Sequence, residues 1–544
     1  MKQLHASWAE KAALACFLLL TMVIAIGMIG FFFQIPIGGY TLVIALLLLA
    51  IPMALRDRRL LGMLVLVLIL LAIWCLICQH MFDHSFDGMY YHKQAIITLK
   101  EGWIPLQGSS ADADIFATYL DEALWLDNYP KGIWIFSAVI YSITNLLETA
   151  KAVNLLFFLP VFLLGYDVLR TAYGYSCRKS LIFSLLIGMN PVFLCQLFTS
   201  YNDIAVGSLI IIAALLCFKI YHGCATVTTY LLCFCTAAIS CAVKFTAPFY
   251  VGLVFLVYGV CYGFSVSWDF SKLWRPILTL ACGFLIGTCL LGFDPYVKHL
   301  AQGQHMLYPV MGEGKYDIMN VNPPKTFDQK NNIERLALSL ISQTNNDISE
   351  APKPKIPFYI DPSELQNLEA ADIRIGGFGV WFSGILILSA VFLFIAVIHR
   401  TKWRTCTLIG LLLFTGFALF MPQTWWARYA SYIYYIPIFI LFYISDDKQW
   451  QWKVWVMCAL IAVNSLMVMW FNVAGTIRTT HMLQDKLAEI KSYGQKVILR
   501  VNDFPSHVKL FEEAEIPFEV SHQPLENDAM LFYGTTKYQL EPKS

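Results

Sequence analysis

Long apolar runs separated by short polar connections make up most of this chain. Taking about 20 apolar residues for each membrane crossing, the pattern predicts 14 candidate spans. The first run is too long for a signal-peptide core and lacks a small-x-small cleavage site, so we expect it to be retained. The candidate spans are 12–34, 39–55, 60–79, 131–148, 151–170, 180–198, 204–221, 225–243, 245–263, 276–292, 374–398, 405–421, 430–445 and 453–472.

The basic residues of the short connections predict the orientation of these helices. Two connections are strongly basic and are expected to be cytoplasmic, namely those with Arg56, Arg58 and Arg59 and with Arg400, Lys402 and Arg404. The remaining long polar segments are then expected on the extracytoplasmic side. These segments are 80–130, 293–373, 422–429 and the tail after 472.

One segment conflicts with this orientation. If 131–148 and 151–170 both cross, Arg170 and its basic neighbours lie outside and Asp203 lies inside. We therefore predict that 131–148 enters the membrane without crossing it, which leaves about thirteen spans. The alternative is that Arg170 and its neighbours do not follow the charge rule.

The predicted fold is an α-helical polytopic membrane protein with extracytoplasmic loops and a small C-terminal α/β domain. Its parts are N-terminal helices (1–79), a first external loop (80–130), central helices (131–292), a second external loop (293–373), C-terminal helices (374–472) and the α/β tail (473–544). The first loop should contain an amphipathic helix with Phe116, Leu120 and Leu124 on one face, and the second a short helix near Ile333–Ile341.

Composition supports a lipid environment, since 58% of the residues are hydrophobic and only 14% are charged, where a soluble domain carries roughly a quarter. The net charge is +1 and no basic stretch is interleaved with aromatic residues, which excludes nucleic acid as a partner. Nearly all of the 15 cysteines lie inside apolar runs, where cysteine behaves as a small hydrophobic residue.

The densest polar cluster follows the third span and contains Asp87, Tyr91 and His92. Carboxylates and imidazoles at a membrane boundary can serve in acid/base chemistry, although such residues also occur there as interfacial anchors. Lys244 and Arg428 could bind phosphate, or could only anchor the chain by snorkelling to the interface. Further polar residues expected on the same face are Tyr129, Lys131, Gln196, Asn202 and Asp203.

This pattern resembles the GT-C superfamily of multi-spanning glycosyltransferases, which includes protein O-mannosyltransferases and aminoarabinose transferases. The resemblance covers roughly residues 60–300: an acidic residue with an aromatic-His pair in the first external loop (Asp87, Tyr91, His92), the Tyr129-Pro130-Lys131-Gly132 motif, and a later aspartate, Asp203. Many relatives have Asp-Glu in the first loop, whereas Asp87 is followed by Gly88.

The resemblance implies an inverting transfer of a sugar from a polyprenyl-phosphate carrier to a glycan, lipid or protein acceptor, at the extracytoplasmic face of a bacterial inner membrane. Asp87 would be the general base, with Asp203 and His92 placing the acceptor. Asp87 and Asp203 could also hold a divalent cation such as Mg or Mn. The residues expected to bind donor and phosphate are Tyr91, Tyr129, Lys131, Gln196, Asn202, Lys244 and Arg428.

Two other functions stay open at this point. A polymerase or ligase acting on lipid-linked glycans would also have a large external loop. A flippase or transporter should instead place ionisable residues near the membrane midplane and often contains internal repeats. The charges of this chain lie mainly at the ends of the predicted spans, which favours the transferase.

Overall fold

The computed structural model describes residues 5–113, 120–316, 322–399, 404–501, 503–521, 523–525, 529–531 and 536–541. The chain in these ranges is mostly helical and has a small C-terminal sheet. Eight of the described helices are long and apolar enough to cross a membrane, and several shorter apolar helices accompany them. The protein is therefore a helical membrane protein, as the hydrophobic pattern predicts.

The helices of the first 301 residues are numbered in chain order. They are α1 (Trp8–Phe32), α2 (Gly39–Arg56), α3 (Arg58–Cys78), α4 (Lys93–Lys100), α5 (Ser110–Ala113), α6 (Leu120–Asn128), α7 (Gly132–Thr144), α8 (Leu155–Thr171), α9 (Cys177–Gly188), α10 (Pro191–Gln196), α11 (Asp203–Tyr221), α12 (Val227–Val243), α13 (Thr246–Ser265), α14 (Phe270–Ile286) and α15 (Phe293–Ala301). Two π-helical turns, Gly88–His92 and Gly287–Leu291, adjoin α4 and α14, and a 3₁₀ helix, Leu147–Asn154, precedes α8.

The remaining helices are α16 (Asn332–Ile341), α17 (Pro362–Asn367), α18 (Phe382–Ile398), α19 (Thr405–Phe420), α20 (Tyr435–Ile444), α21 (Gln451–Ser492) and α22 (Val508–Glu513). Short 3₁₀ helices occur at Lys325–Phe327, Ala427–Tyr429, Ser431–Tyr434, Lys448–Trp450 and Pro505–His507. Of the predicted amphipathic helix in the first loop, Phe116 lies outside the described residues, while Leu120 and Leu124 fall in α6.

Two predicted spans differ from the structure for local backbone reasons. The run 180–198 is broken into α9 and α10, because Asn190 caps a new helix that begins with Pro191, a residue without a backbone N–H. The run predicted to begin at 374 becomes helical only at Phe382. Gly376 and Gly379 adopt positive φ angles of 64° and 96°, so this apolar stretch cannot be helical.

Basic residues collect at one end of the helix bundle, here called the basic end. Arg404 Nε lies 2.5 Å from Asp446 Oδ2, and Lys179 Nζ donates to the carbonyl oxygen of Ser445. A fully buried ion-pair group joins four helices near the same end, since Lys219 Nζ lies 2.7 Å from Glu10 and 2.5 Å from Asp167. Thr226, at the start of α12, donates a hydrogen bond to Glu10.

Helix α7 stays at the opposite end of the bundle, called the site end. At its start, a Cβ added to Gly132 would lie 2.7 Å from the carbonyl oxygen of Ala242, the penultimate residue of α12. Beyond its end, Lys151 donates to the carbonyl oxygen of Met81, just after α3. Both ends of the 13-residue helix therefore lie at the end where α3 and α12 finish.

The C-terminal domain is a four-stranded sheet with α22 on one side. Its strands are β1 (Val497–Arg500), β2 (Phe518–Val520), β3 (Ala529–Met530) and β4 (Lys537–Leu540). They lie in the order β2-β1-β4-β3, with β1 parallel to β2 and the other pairs antiparallel. The predicted domain boundary at 473 falls inside α21, which runs unbroken for 42 residues from the membrane to the sheet.

A candidate active site at the end of the bundle

Arg428 lies among three carboxylates that come from distant parts of the chain. Its Nη2 donates to Asp87 Oδ2 at 2.6 Å and its Nη1 to Asp372 Oδ2 at 3.2 Å, while Nε lies 3.5 Å from Asp203 Oδ2. The Arg428 side chain is only 7% exposed. The planar fork of a guanidinium suits such multiple pairing, which a lysine could not reproduce.

Aromatic rings surround the guanidinium and exclude water from it. Its central carbon lies 4.7 Å from the ring centroids of Tyr201 and Trp426 and 4.8 Å from that of Tyr429. Trp426 is itself held by a hydrogen bond of 3.3 Å from its indole N–H to the carbonyl oxygen of Asp372. Cation–π contacts are strongest where the cation has lost its water, as here.

Lys244 extends the cluster through Asp203. Its Nζ donates to Asp203 Oδ1 at 2.5 Å and lies 4.8 Å from the Tyr429 ring centroid. Lys244 caps the C-terminus of α12, and Asp203 is the first residue of α11. A cation at a helix C-terminus and an anion at a helix N-terminus are both favoured by the helix dipoles, so the two helices place this pair.

Burial changes the acidity of the cluster. Burial alone would lower the pKa of Arg428, but the carboxylates of Asp87 and Asp203 outweigh it and hold that pKa well above its usual range. Burial also raises the pKa of Asp372, although Arg428 opposes this effect. The guanidinium is therefore permanently charged, and the Asp372 carboxylate is more readily protonated than an ordinary aspartate.

The loop that carries Asp87 turns tightly around another aspartate, the fully buried Asp83. Asp83 accepts hydrogen bonds from the backbone N–H of Ser200 at 2.8 Å and from the N–H and hydroxyl of Ser85 at 3.0 and 2.5 Å. A Cβ at Gly88 would lie 2.5 Å from Asp83 Oδ2 and closer still to Ser85 Oγ. Position 88 therefore has no room for a side chain without a shift of Asp83 or Ser85.

His92 borders the cluster as a neutral ring. Its Nδ1 accepts a hydrogen bond from the indole N–H of Trp134 at 2.8 Å, so its proton is on Nε2. Burial, and then the positive charge of Lys244, lowers the pKa of His92 well below its usual value. The Tyr91 ring lies tilted against this ring with centroids 4.2 Å apart, and the Tyr129 centroid lies 6.5 Å away.

Three predicted site residues make no contact with Arg428 or its three carboxylates through any hydrogen bond or ion pair of the described residues. Lys131 is fully buried and pairs with Asp294 at 3.2 Å; burial lowers its pKa to about 8. Asn202 precedes α11, and its Nδ2 donates to the carbonyl oxygen of Val243 at 3.3 Å. The side-chain amide of Gln196 is buried and has no hydrogen-bond partner within the described part of the chain.

The predicted pair of metal ligands, Asp87 and Asp203, does come together, but both carboxylates face Arg428. The guanidinium occupies the position between them that a shared cation would take. Among the residues that the structure describes, no group of three His, Cys, Asp or Glu side chains is placed to hold a metal ion. The residues as arranged do not fit a bound divalent cation.

The sequence did not identify Asp372 or Arg374, which lie at the end of the second external loop. Arg374 stacks on Trp426 at 5.1 Å, and its Nη2 donates to Asn322 Oδ1 at 3.3 Å. Apolar and charged residues alternate here, with buried Ala371, Ile373 and Ile375 flanking the two charged positions. This alternation, with every second residue apolar, is the sequence pattern that predicts an extended segment with one charged face.

No protein-family model matches the chain, and no curated protein matches it.

Proposed function

We propose that this protein is a membrane glycosyltransferase that moves a sugar from a polyprenyl-phosphate carrier to an acceptor outside the cytoplasm. The observation that carries the proposal is the meeting of Asp87, Asp203 and Arg428 in one water-poor cluster at the site end of the bundle. Asp87 and Asp203 belong to separate motifs of the GT-C pattern. Both pair with Arg428, and Asp203 also pairs with Lys244. A lipid-linked donor suits this place, because its isoprenoid can stay in lipid while its phosphate reaches the cluster.

Asp87 is the general base in this proposal. Its side chain is 20% exposed, whereas that of Asp203 is 5% exposed, so Asp87 is the more accessible to an acceptor hydroxyl. The carboxylate takes the hydroxyl proton as the acceptor oxygen bonds to the anomeric carbon and the bond from that carbon to the phosphate oxygen breaks. Attack opposite the leaving group inverts the anomeric centre.

The leaving phosphate needs positive charge that is not already neutralised. Arg428 and Lys244 face three carboxylates, so a bare phosphate would meet a cluster with no excess positive charge. Arg374, on the other hand, forms no ion pair within the described ranges, and its Nε is buried without a partner. Arg374 therefore supplies the cation that stabilises the charge developing on the phosphate, while Arg428 and Lys244 stay paired with the carboxylates.

We infer that thirteen segments cross the membrane, with the basic end cytoplasmic and the site end extracytoplasmic. The contacts of α7 support this inference, because a helix that returns to the site end adds no crossing. Arg170 and Lys179 then lie on the cytoplasmic side with Arg404, which agrees with the charge rule. Asp203 then lies on the same side as Asp87.

The direct test is release of polyprenyl phosphate by the purified protein in detergent, from a panel of polyprenyl-phosphate-linked hexoses and pentoses with a mixture of glycan acceptors. The wild type should release carrier from at least one donor. Asp87→Asn should reduce release by about 10²–10⁴-fold, the usual contribution of a general base. Arg428→Lys should also be impaired, because an ammonium cannot contact three carboxylates in the same geometry.

Asp347→Asn is a suitable control, since Asp347 is an exposed acidic residue of the second external loop whose carboxylate, among the described residues, accepts hydrogen bonds only from nearby Ser349. It should retain wild-type release. A wild-type protein that releases no carrier but moves lipid-linked glycan across vesicles would be a flippase, and the proposal would be wrong. Full activity of a folded Asp87→Asn protein would reject Asp87 as the base.

A further inference from the structure

The C-terminal domain packs directly on the segment that carries Asp87. Phe82 and Met89, which lie on either side of this aspartate in sequence, belong to the apolar core of that domain together with Leu483, Val497 and Phe511. Phe504 adds an edge-to-face contact with Phe86, at a centroid distance of 5.6 Å. The catalytic segment therefore shares a hydrophobic core with a domain more than 400 residues later in the chain.

Two neighbouring side chains of the domain hold the π-helical turn 88–92 by hydrogen bonds. Ser506 Oγ donates to the carbonyl oxygen of Met89 at 2.9 Å, and His507 Nε2 lies 3.3 Å from Met89 Sδ. Because a thioether sulfur only accepts, His507 carries its proton on Nε2 and its Nδ1 accepts from the hydroxyl of Thr536 at 2.9 Å. Burial lowers the pKa of His507 to about 3, so the ring is uncharged at neutral pH.

The domain is in turn fixed to the bundle at several points. Glu513 accepts a hydrogen bond from the backbone N–H of Leu147 at 2.8 Å, and Lys509 pairs with Glu101 at 2.5 Å. Thr480, on α21, accepts from the N–H of Phe82 at 2.8 Å. At 1.5 Å per residue α21 is roughly 63 Å long, about twice the thickness of the hydrocarbon core. One rigid helix thus connects the membrane to the domain.

We propose that Ser506 and His507 are positioning residues, and that the C-terminal domain holds the turn 88–92 so that Asp87 meets Arg428. This inference rests on the proposed function only for its catalytic consequence. The carbonyl that Ser506 binds is two residues from Asp87, and π-helical turns often mark functional positions in helices. Freeing that carbonyl allows the turn to shift, which displaces the base from its productive position.

The test compares Ser506→Ala with Ser506→Thr, which keeps the hydroxyl, and with Ser521→Ala. Ser521 is a matched control, because its hydroxyl lies in the same domain but, within the described residues, bonds only to nearby Gln523. Ser506→Ala should lower kcat about tenfold and leave the KM for donor within about twofold, since misplacement of a reacting group acts on the chemical step. Ser506→Thr should restore kcat, and Ser521→Ala should match the wild type.

Hydrogen–deuterium exchange of residues 82–92 gives a second measurement that does not need activity. Exchange in this segment should be faster in Ser506→Ala than in the wild type or in Ser521→Ala. Unchanged exchange and unchanged kcat would overturn the inference, as would a loss of activity that Ser506→Thr does not restore. A wild type without donor turnover would reject the proposed function, while the exchange result would still decide whether Ser506 positions the turn.

Discussion

An alanine at position 88 would add a methyl group inside the loop that carries Asp87. Its Cβ would lie 2.5 Å from Asp83 Oδ2 and closer still to Ser85 Oγ, whereas ordinary contacts begin near 3.4 Å. The backbone φ of Gly88 is not positive, so the strain comes from crowding alone. Overpacking of this kind costs about 1–3 kcal/mol.

The overlap can be relieved in two ways. If the Asp83 carboxylate moves, it loses hydrogen bonds from Ser200 and Ser85, each worth about 1.5–3 kcal/mol for a charged acceptor. If the π-helical turn moves instead, Asp87 is displaced. A shift of about 1 Å can lower turnover about 10²-fold. We therefore expect Gly88→Ala to lose both thermal stability and kcat.

The assay is release of carrier phosphate together with thermal unfolding in detergent. Gly62→Ala is the control, because a Cβ at this helical position meets nothing within 4 Å, and alanine should stabilise the helix by about 0.5–1 kcal/mol. The double variant Ser85→Ala/Gly88→Ala removes the nearest obstacle and should recover part of the stability. A Gly88→Ala protein as stable and active as the wild type would refute the steric reasoning.

Three further predictions concern the rest of the bundle. Lys219→Met leaves two buried carboxylates without a cation and should destabilise the protein by about 3–5 kcal/mol, whereas Lys272→Met, which removes a 56% exposed partner, should have little effect in the same thermal assay. The folded pKa of Lys131, about 8, is below its unfolded value, so the folded state releases its proton first. Between about pH 8 and 10.5 the stability of the wild type relative to Lys131→Met should therefore rise with pH, by up to about 1.4 kcal/mol per unit in denaturation series. Finally, an impermeant thiol reagent added outside intact cells should label Ser349→Cys but not the native Cys177; the reverse labelling would invert the proposed orientation.

Most of the membrane-embedded helices could be predicted from the sequence. In lipid every backbone polar group must be satisfied within its own helix, so an apolar run of sufficient length has one stable conformation. That rule is local, and the predicted and observed bounds of α2, α11 and α12 differ by only a few residues. It failed at 374–381, where glycines with positive φ interrupt an apolar run, and after 472, where α21 continues beyond the end of the apolar run as a polar helix.

The partners of the charged residues could not be predicted in the same way. Lys131 and Lys244 stand in similar positions beside apolar runs, yet Lys131 pairs with Asp294 and Lys244 with Asp203. Each pairing joins residues that are 41 or 163 positions apart. Spacing alone contains no information about such contacts, because they depend on how the helices pack.

The sequence by itself determined that this chain is a helical membrane protein and that charged and polar residues able to take part in catalysis follow its apolar runs. Only the tertiary structure decided that Arg428 would face Asp87, Asp203 and Asp372, and that the C-terminal domain would contact the segment carrying Asp87. The physical reason is that burial in lipid is encoded residue by residue, whereas a buried charge must find its counter-charge wherever the packed helices bring one.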